Sequence, residues 1–229
     1  MQYFQLTPPA TIAGIVAVLL MALIKLQWPF RFQYMTLFHK KTPERIKKCL
    51  EASFLKNNKR TVALLDKSSQ QILAGEYDDA EKYITQAIVM CKQTPTLFHR
   101  ALLHHLFYNL AVAYYYRGRY KEALQIAAHL YQRDNKFQNA LGIMVCCHAR
   151  MGDSQGAFYA FSLLKRRRLR PALLHYCLAE LEAAQGKYSN ALNHLEKIGN
   201  YAYSHTLFLH QAQFDRRLKE WTKESSHAG

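Results

Sequence analysis

The sequence predicts an all-α chain of stacked antiparallel helix pairs, and three observations carry that prediction. The first is a phrase that returns four times: Gly75-Glu-Tyr77-Asp-Asp-Ala80, Gly118-Arg-Tyr120-Lys-Glu-Ala123, Gly152-Asp-Ser154-Gln-Gly-Ala157 and Gly186-Lys-Tyr188-Ser-Asn-Ala191. The second is its spacing, 34 residues from Gly118 to Gly152 and 34 again from Gly152 to Gly186. A fixed period of roughly 20 to 50 residues marks an array of supersecondary units. The third is composition: only 9 glycines and 6 prolines among 229 residues, half of them apolar. In each phrase the glycine suits the left-handed end of a first helix. The alanine fits where two helices cross and only a small side chain has room.

Taken in order, residues 1–29 open with an uncharged stretch and then the apolar run Ile12 to Ile24, closed by Lys25, Trp28 and Pro29. Pro9 to Trp28 would form roughly 30 Å of helix at about 1.5 Å per residue. Positive charge follows the run rather than preceding it, and no small-residue cleavage site comes after. Both features favour a retained transmembrane anchor over a cleaved signal. Lys25 can snorkel and Trp28 suits an interfacial belt.

Residues 30–58 are basic. Lys40, Lys41, Lys47 and Lys48, with Arg31, Arg45 and Lys56, face only Glu44 and Glu51. The positive-inside rule then predicts a single-pass protein whose C-terminal domain is cytoplasmic, with anionic lipid beside residues 30–60, and the membrane expected is a bacterial cell membrane. Phe30, Tyr34, Leu37 and Phe38 share one helical face. Thr42-Pro43-Glu44 reads as a helix start, and Ile46, Leu50 and Phe54 as the buried stripe of that helix.

The repeat domain is expected over residues 59–221. Its first helix pair runs from about Thr61 to Ala74 and from Tyr77 to Cys91. Gly118 follows Gly75 by 43 residues, so the extra nine lengthen a helix or the turn near Thr94 to Arg100. Phe107, Leu110, Ala111 and Tyr114 precede the second phrase, and Leu141, Met144 and Val145 the third, where His148 replaces an expected tyrosine. Leu178 and Ala179 precede the fourth. Tyr203 to Trp221 reads as the amphipathic capping helix that terminal repeats need, and residues 222–229 as a flexible tail.

On these residues, Gly75, Ala80, Gly118, Ala123, Gly152, Ala157, Gly186 and Ala191 above all, the chain resembles the tetratricopeptide repeat family over about 70% of its length. The resemblance implies a right-handed α-solenoid whose first helices line a concave groove for a protein or peptide. Carried over by position, the groove would comprise Leu65, His105, Tyr108, Val112, Tyr115, Tyr116, Arg150, Tyr176 and Glu180. The Lys and Asn clamp with which chaperone-binding members hold a C-terminal carboxylate is absent. Leu65 and Ser69, Tyr108 and Val112, Gly142 and Cys146 stand in those places.

Charge and motifs narrow the function further. The net charge of +15 favours an anionic neighbour. Arg166, Arg167, Arg168 and Arg170 form a basic knot between the third and fourth repeats that could meet anionic lipid or phosphate. Five cysteines without regular spacing argue against disulfides and zinc. There is no phosphate loop and no metalloprotease or hydrolase motif, so neither an enzyme, a cofactor nor a small-molecule substrate is expected. The leading reading is a membrane-anchored scaffold with an aromatic-apolar groove. The alternative is a basic helical-repeat protein that binds nucleic acid or anionic lipid. Aliphatic and tyrosine groove positions weigh against nucleic acid, because RNA-reading repeats use recurring polar residues.

Overall fold

The computed structural model describes residues 8–26, 43–56, 60–166, 171–199 and 207–227. Its contacts divide the chain into two units, residues 1–31 and residues 32–229. Lys40 and Lys41, the expected interfacial face at residues 30–38, and Arg167, Arg168 and Arg170 all lie outside the described residues.

The first unit holds α1 (Pro8–Leu26). Ile12, Ile15, Val16, Val18, Leu19, Leu20 and Met21 are all exposed along it. The expected transmembrane helix is not borne out: among the described residues, no helix is long and apolar enough to cross a membrane.

The second unit is all-helical among the described residues. A lead-in helix α2 (Pro43–Lys56) is followed by four pairs: α3 (Arg60–Ala74) with α4 (Tyr77–Gln93), α5 (Leu97–Tyr116) with α6 (Tyr120–Arg133), α7 (Gln138–Arg150) with α8 (Ser154–Lys165), and α9 (Pro171–Ala184) with α10 (Tyr188–Gly199). A last helix, α11 (Gln211–His227), follows. The extra nine residues of the first interval lengthen both neighbouring helices: α4 has 17 residues and α5 has 20, where the later pairs use 12 to 14.

Each pair turns in the same way. The amide of Gly118 donates to the Tyr115 carbonyl at 3.1 Å, and that of Arg119 to the Tyr114 carbonyl at 2.9 Å. This double bond is the Schellman turn, and it needs a left-handed residue, which Gly118 supplies with φ 79°. The same two bonds recur after Ala74, Arg150 and Ala184. Ala80, Ala123, Ala157 and Ala191 are fully buried at the crossings, as their spacing requires. The first helices of successive pairs pack side by side, α3 on α5, α5 on α7 and α7 on α9. At Gly142 a side-chain carbon would come within 2.7 Å of Leu173, so this position serves the α7–α9 approach and not a groove lining.

Polar bonds stitch the first two pairs. The Asn109 amide donates to Ser68 Oγ at 3.1 Å and Ser69 Oγ at 3.0 Å, and both hydroxyls donate to the Leu65 carbonyl. Glu81 accepts from Tyr114, Arg117 and Arg119.

Candidate functional site

The face built by α3, α5, α7 and α9 is where the groove was expected, and it is covered by the chain's own C-terminal segment. Residues Leu207 to His210 form a buried turn, and α11 continues from it. Phe208 sits at the centre. Its ring lies 5.3 Å from that of Tyr115, 5.9 Å from Tyr116 and 5.3 Å from Tyr176, centroid to centroid. Aromatic rings at such separations attract edge to face or offset, beyond the area they bury.

The tyrosine hydroxyls hold the main chain of the segment as well. The Phe208 amide donates to Tyr108 Oη at 3.2 Å, and Tyr116 Oη donates to the Phe208 carbonyl. Because that carbonyl can only accept, the Tyr116 proton is committed to it. Tyr176, 3.2 Å away, therefore donates to Tyr116 Oη. Burial drives the Tyr116 and Tyr176 phenols well above their ordinary pKa, so both remain neutral donors.

A second chain of bonds runs through His210. Its Nδ1 donates to the Leu207 carbonyl at 2.8 Å, which leaves Nε2 to accept from Tyr77 Oη at 3.0 Å. Gln213 donates to the same Tyr77 oxygen. Burial holds the imidazole neutral, with its pKa lowered to about 4.

The third anchor is ionic. Glu180, fully buried, accepts from Arg150 Nε at 2.6 Å and from Arg217 Nε at 2.9 Å. Burial alone would raise the Glu180 carboxyl, and the guanidiniums of Arg217 and Arg150 outweigh it and hold the pKa low. Glu220 closes the group, 2.8 Å from Arg217 Nη1 and 3.5 Å from Arg150 Nη1. Both guanidiniums lie 5.9 Å from the buried Trp221 ring. A cleft of about 150 Å³ opens beside this group, lined by Tyr115, Tyr120, Arg117, Gln213, Arg216 and Arg217 among others.

Of the groove residues named from sequence, Tyr108, Tyr115, Tyr116, Arg150, Tyr176 and Glu180 come together against the C-terminal segment. Leu65, Tyr108, Val112, Tyr115, Tyr116, Tyr176 and Glu180 are buried, and Arg150 and His105 are half-buried. The six that meet the segment are not open to solvent as a groove lining would be, because residues 207–221 lie against them. The expected capping helix starts at Gln211 rather than Tyr203, runs on to His227 in place of a flexible tail, and packs on α3 as well as on α10. Sequence reasoning missed Phe208, His210, Gln213, Arg217 and Trp221. A signal was present: Phe214, Arg217 and Trp221 fall at i, i+3 and i+7, which places an arginine inside the apolar stripe of α11.

The basic positions are at the surface where they are described. Arg166 is exposed at the end of α8, Lys48 is exposed, and Lys47 is half-buried 3.5 Å from Glu44. Among the described residues no cluster of His, Cys, Asp and Glu could hold a metal ion.

Four glycine-hinged pairs joined side by side by their first helices define a helical-repeat protein. Residues 106–133, the second half of α5 and all of α6, match the sequence model of the tetratricopeptide repeat. Over those residues this chain carries a tetratricopeptide repeat motif. Among solved structures it is similar to a tetratricopeptide repeat protein from Parabacteroides merdae, at 14% identity and a TM-score of 0.49, over 94% of this chain and 86% of that one. No curated protein matches the sequence.

Proposed function

We propose that this protein is a non-catalytic scaffold that binds a protein partner on the face made by α3, α5, α7 and α9, and that it is attached to a membrane through α1 with residues 42–229 on the cytoplasmic side. The observation that carries the partner reading is the holding of Phe208. Side chains of the face grip both the ring and the main-chain amide and carbonyl of a segment laid across it. A surface that recognises a peptide must satisfy main-chain groups in this way, because the peptide cannot bury them unpaired.

Site-specific photo-crosslinking tests the partner face. A crosslinker at Arg117, exposed on the rim of the cleft at the end of α5, should trap a protein in solubilised membranes. One at Tyr159, exposed on α8, should trap none. The reverse result would move the binding surface to the second helices.

Membrane attachment is supported by the exposed apolar side chains of α1, which water solvates poorly, and by the basic residues that follow it. The protein should stay in the membrane fraction through alkaline carbonate washing. Ile15→Asp with Leu19→Asp should release it. Retention of that double variant would remove α1 as the attachment.

A further inference from the structure

We propose that the α3–α5–α7–α9 face is an exchangeable peptide site whose resident occupant is residues 207–221, and that its external ligand is a peptide of the same chemistry: an aromatic residue between two aliphatic ones, with an arginine nine positions later. This deepens the partner reading above and rests on it.

Three features separate a seated ligand from an ordinary piece of core. Each helix pair has a crossing of its own, closed on a fully buried alanine, Ala80, Ala123, Ala157 or Ala191. The Phe208 main chain is satisfied by tyrosine hydroxyls of the face rather than by helix bonds of its own. The ionic anchor also survives departure of the segment. Glu180 keeps Arg150, 2.6 Å away on a neighbouring helix of the same face, when Arg217 leaves, so no charge is stranded. The seating is imperfect as well: Gln213 Oε1 is buried with no hydrogen-bond partner among the described residues.

The specificity follows from these contacts. The tyrosine cage selects a flat ring, the neighbouring Leu207 and Leu209 bury beside it, and Glu180 selects a guanidinium that can bond through Nε. A tethered occupant competes at an effective concentration on the order of millimolar. An external peptide therefore binds with its intrinsic affinity reduced by the fraction of molecules in which the face is open.

The test uses the full chain with Cys49→Ser and a fluorescent synthetic peptide of residues 205–222. Phe208→Ala in the chain should weaken the resident occupant and tighten peptide binding by roughly tenfold or more. The same change in the peptide should abolish binding. Because Phe208→Ala could unfold the chain, a lock supplies a second readout. A side-chain carbon added at Gly75 would lie 4.0 Å from Ala212 Cβ, within the roughly 3.5–4.5 Å of a disulfide. Gly75→Cys with Ala212→Cys should refuse the peptide when oxidised and accept it when reduced. Equal binding by the two redox forms, or no binding by any folded variant, would make the segment plain core and overturn the proposal. Dimerisation of the reduced chain in place of peptide binding would assign the face to a second copy and overturn it too. Partner crosslinking at Arg117 with a silent peptide would sink this proposal alone, whereas peptide exchange without crosslinking there would sink the partner reading.

Discussion

Glu180 concentrates the energetics of single residues. A buried carboxylate between two guanidiniums contributes little net stability against an apolar replacement, but removing one member leaves uncompensated charge. Glu180→Ala should therefore cost about 3 to 5 kcal/mol, and the melting temperature should fall by about 10 °C. Restoring neutrality with Arg150→Met and Arg217→Leu should recover most of it. An unchanged melting temperature in Glu180→Ala would mean that water reaches the carboxylate. The histidines set the pH dependence. His210 and His105 both have folded pKa values lowered to about 4 by burial, from an ordinary 6.5. Each binds its proton more readily unfolded, so the stability it lends is complete above pH 6.5 and is lost as the pH falls toward 4. Glu180 adds a second loss below about pH 4.5, because its folded pKa is the lower one. Urea midpoints measured from pH 7 to pH 4 should decline, and His210→Gln should remove a large part of the decline. A flat profile in the unaltered chain would contradict the burial of both imidazoles.

At the scale of elements, the helix pairs were legible because what defines them is local. A glycine at φ 79° and an alanine five residues later sit within one turn and one crossing, and a short window of sequence contains both. Ala123→Phe should overpack the α5–α6 crossing and cost about 1 to 3 kcal/mol. Gly118→Ala should cost about 1 to 2 kcal/mol through its backbone alone. If Ala123→Phe left the denaturant midpoint unmoved, α6 would be rotated from its described register. The tyrosines of the face were legible as a set, and their exposure was not. Whether Tyr108 or Tyr176 meets solvent depends on Phe208, 100 residues from the one and 32 from the other in sequence. The apolar stripe of α11 can cap α10 and cover the first helices at once, and no local pattern separates those tasks.

For the molecule as a whole, the reach of residues 207–227 changes how the repeats cooperate. Repeats that touch only their neighbours fray from the ends, one unit at a time. Here Tyr77 of the first pair meets His210 and Gln213, and Arg217 meets Glu180 of the fourth, so the two ends of the array share one strap. Native-state hydrogen exchange should give α3 and α9 nearly equal protection, and Phe208→Ala should lower both. Unequal protection in the unaltered chain would show that the strap does not couple them. The strap also has a place in time. It is synthesised after the four pairs, at roughly 5 to 20 residues per second. The earlier pairs can therefore form before residue 207 exists, and every newborn molecule passes through an interval with the tyrosines of α5 uncovered by the strap. If the proposed partner exists, it would meet those tyrosines in that interval without competing against the tether.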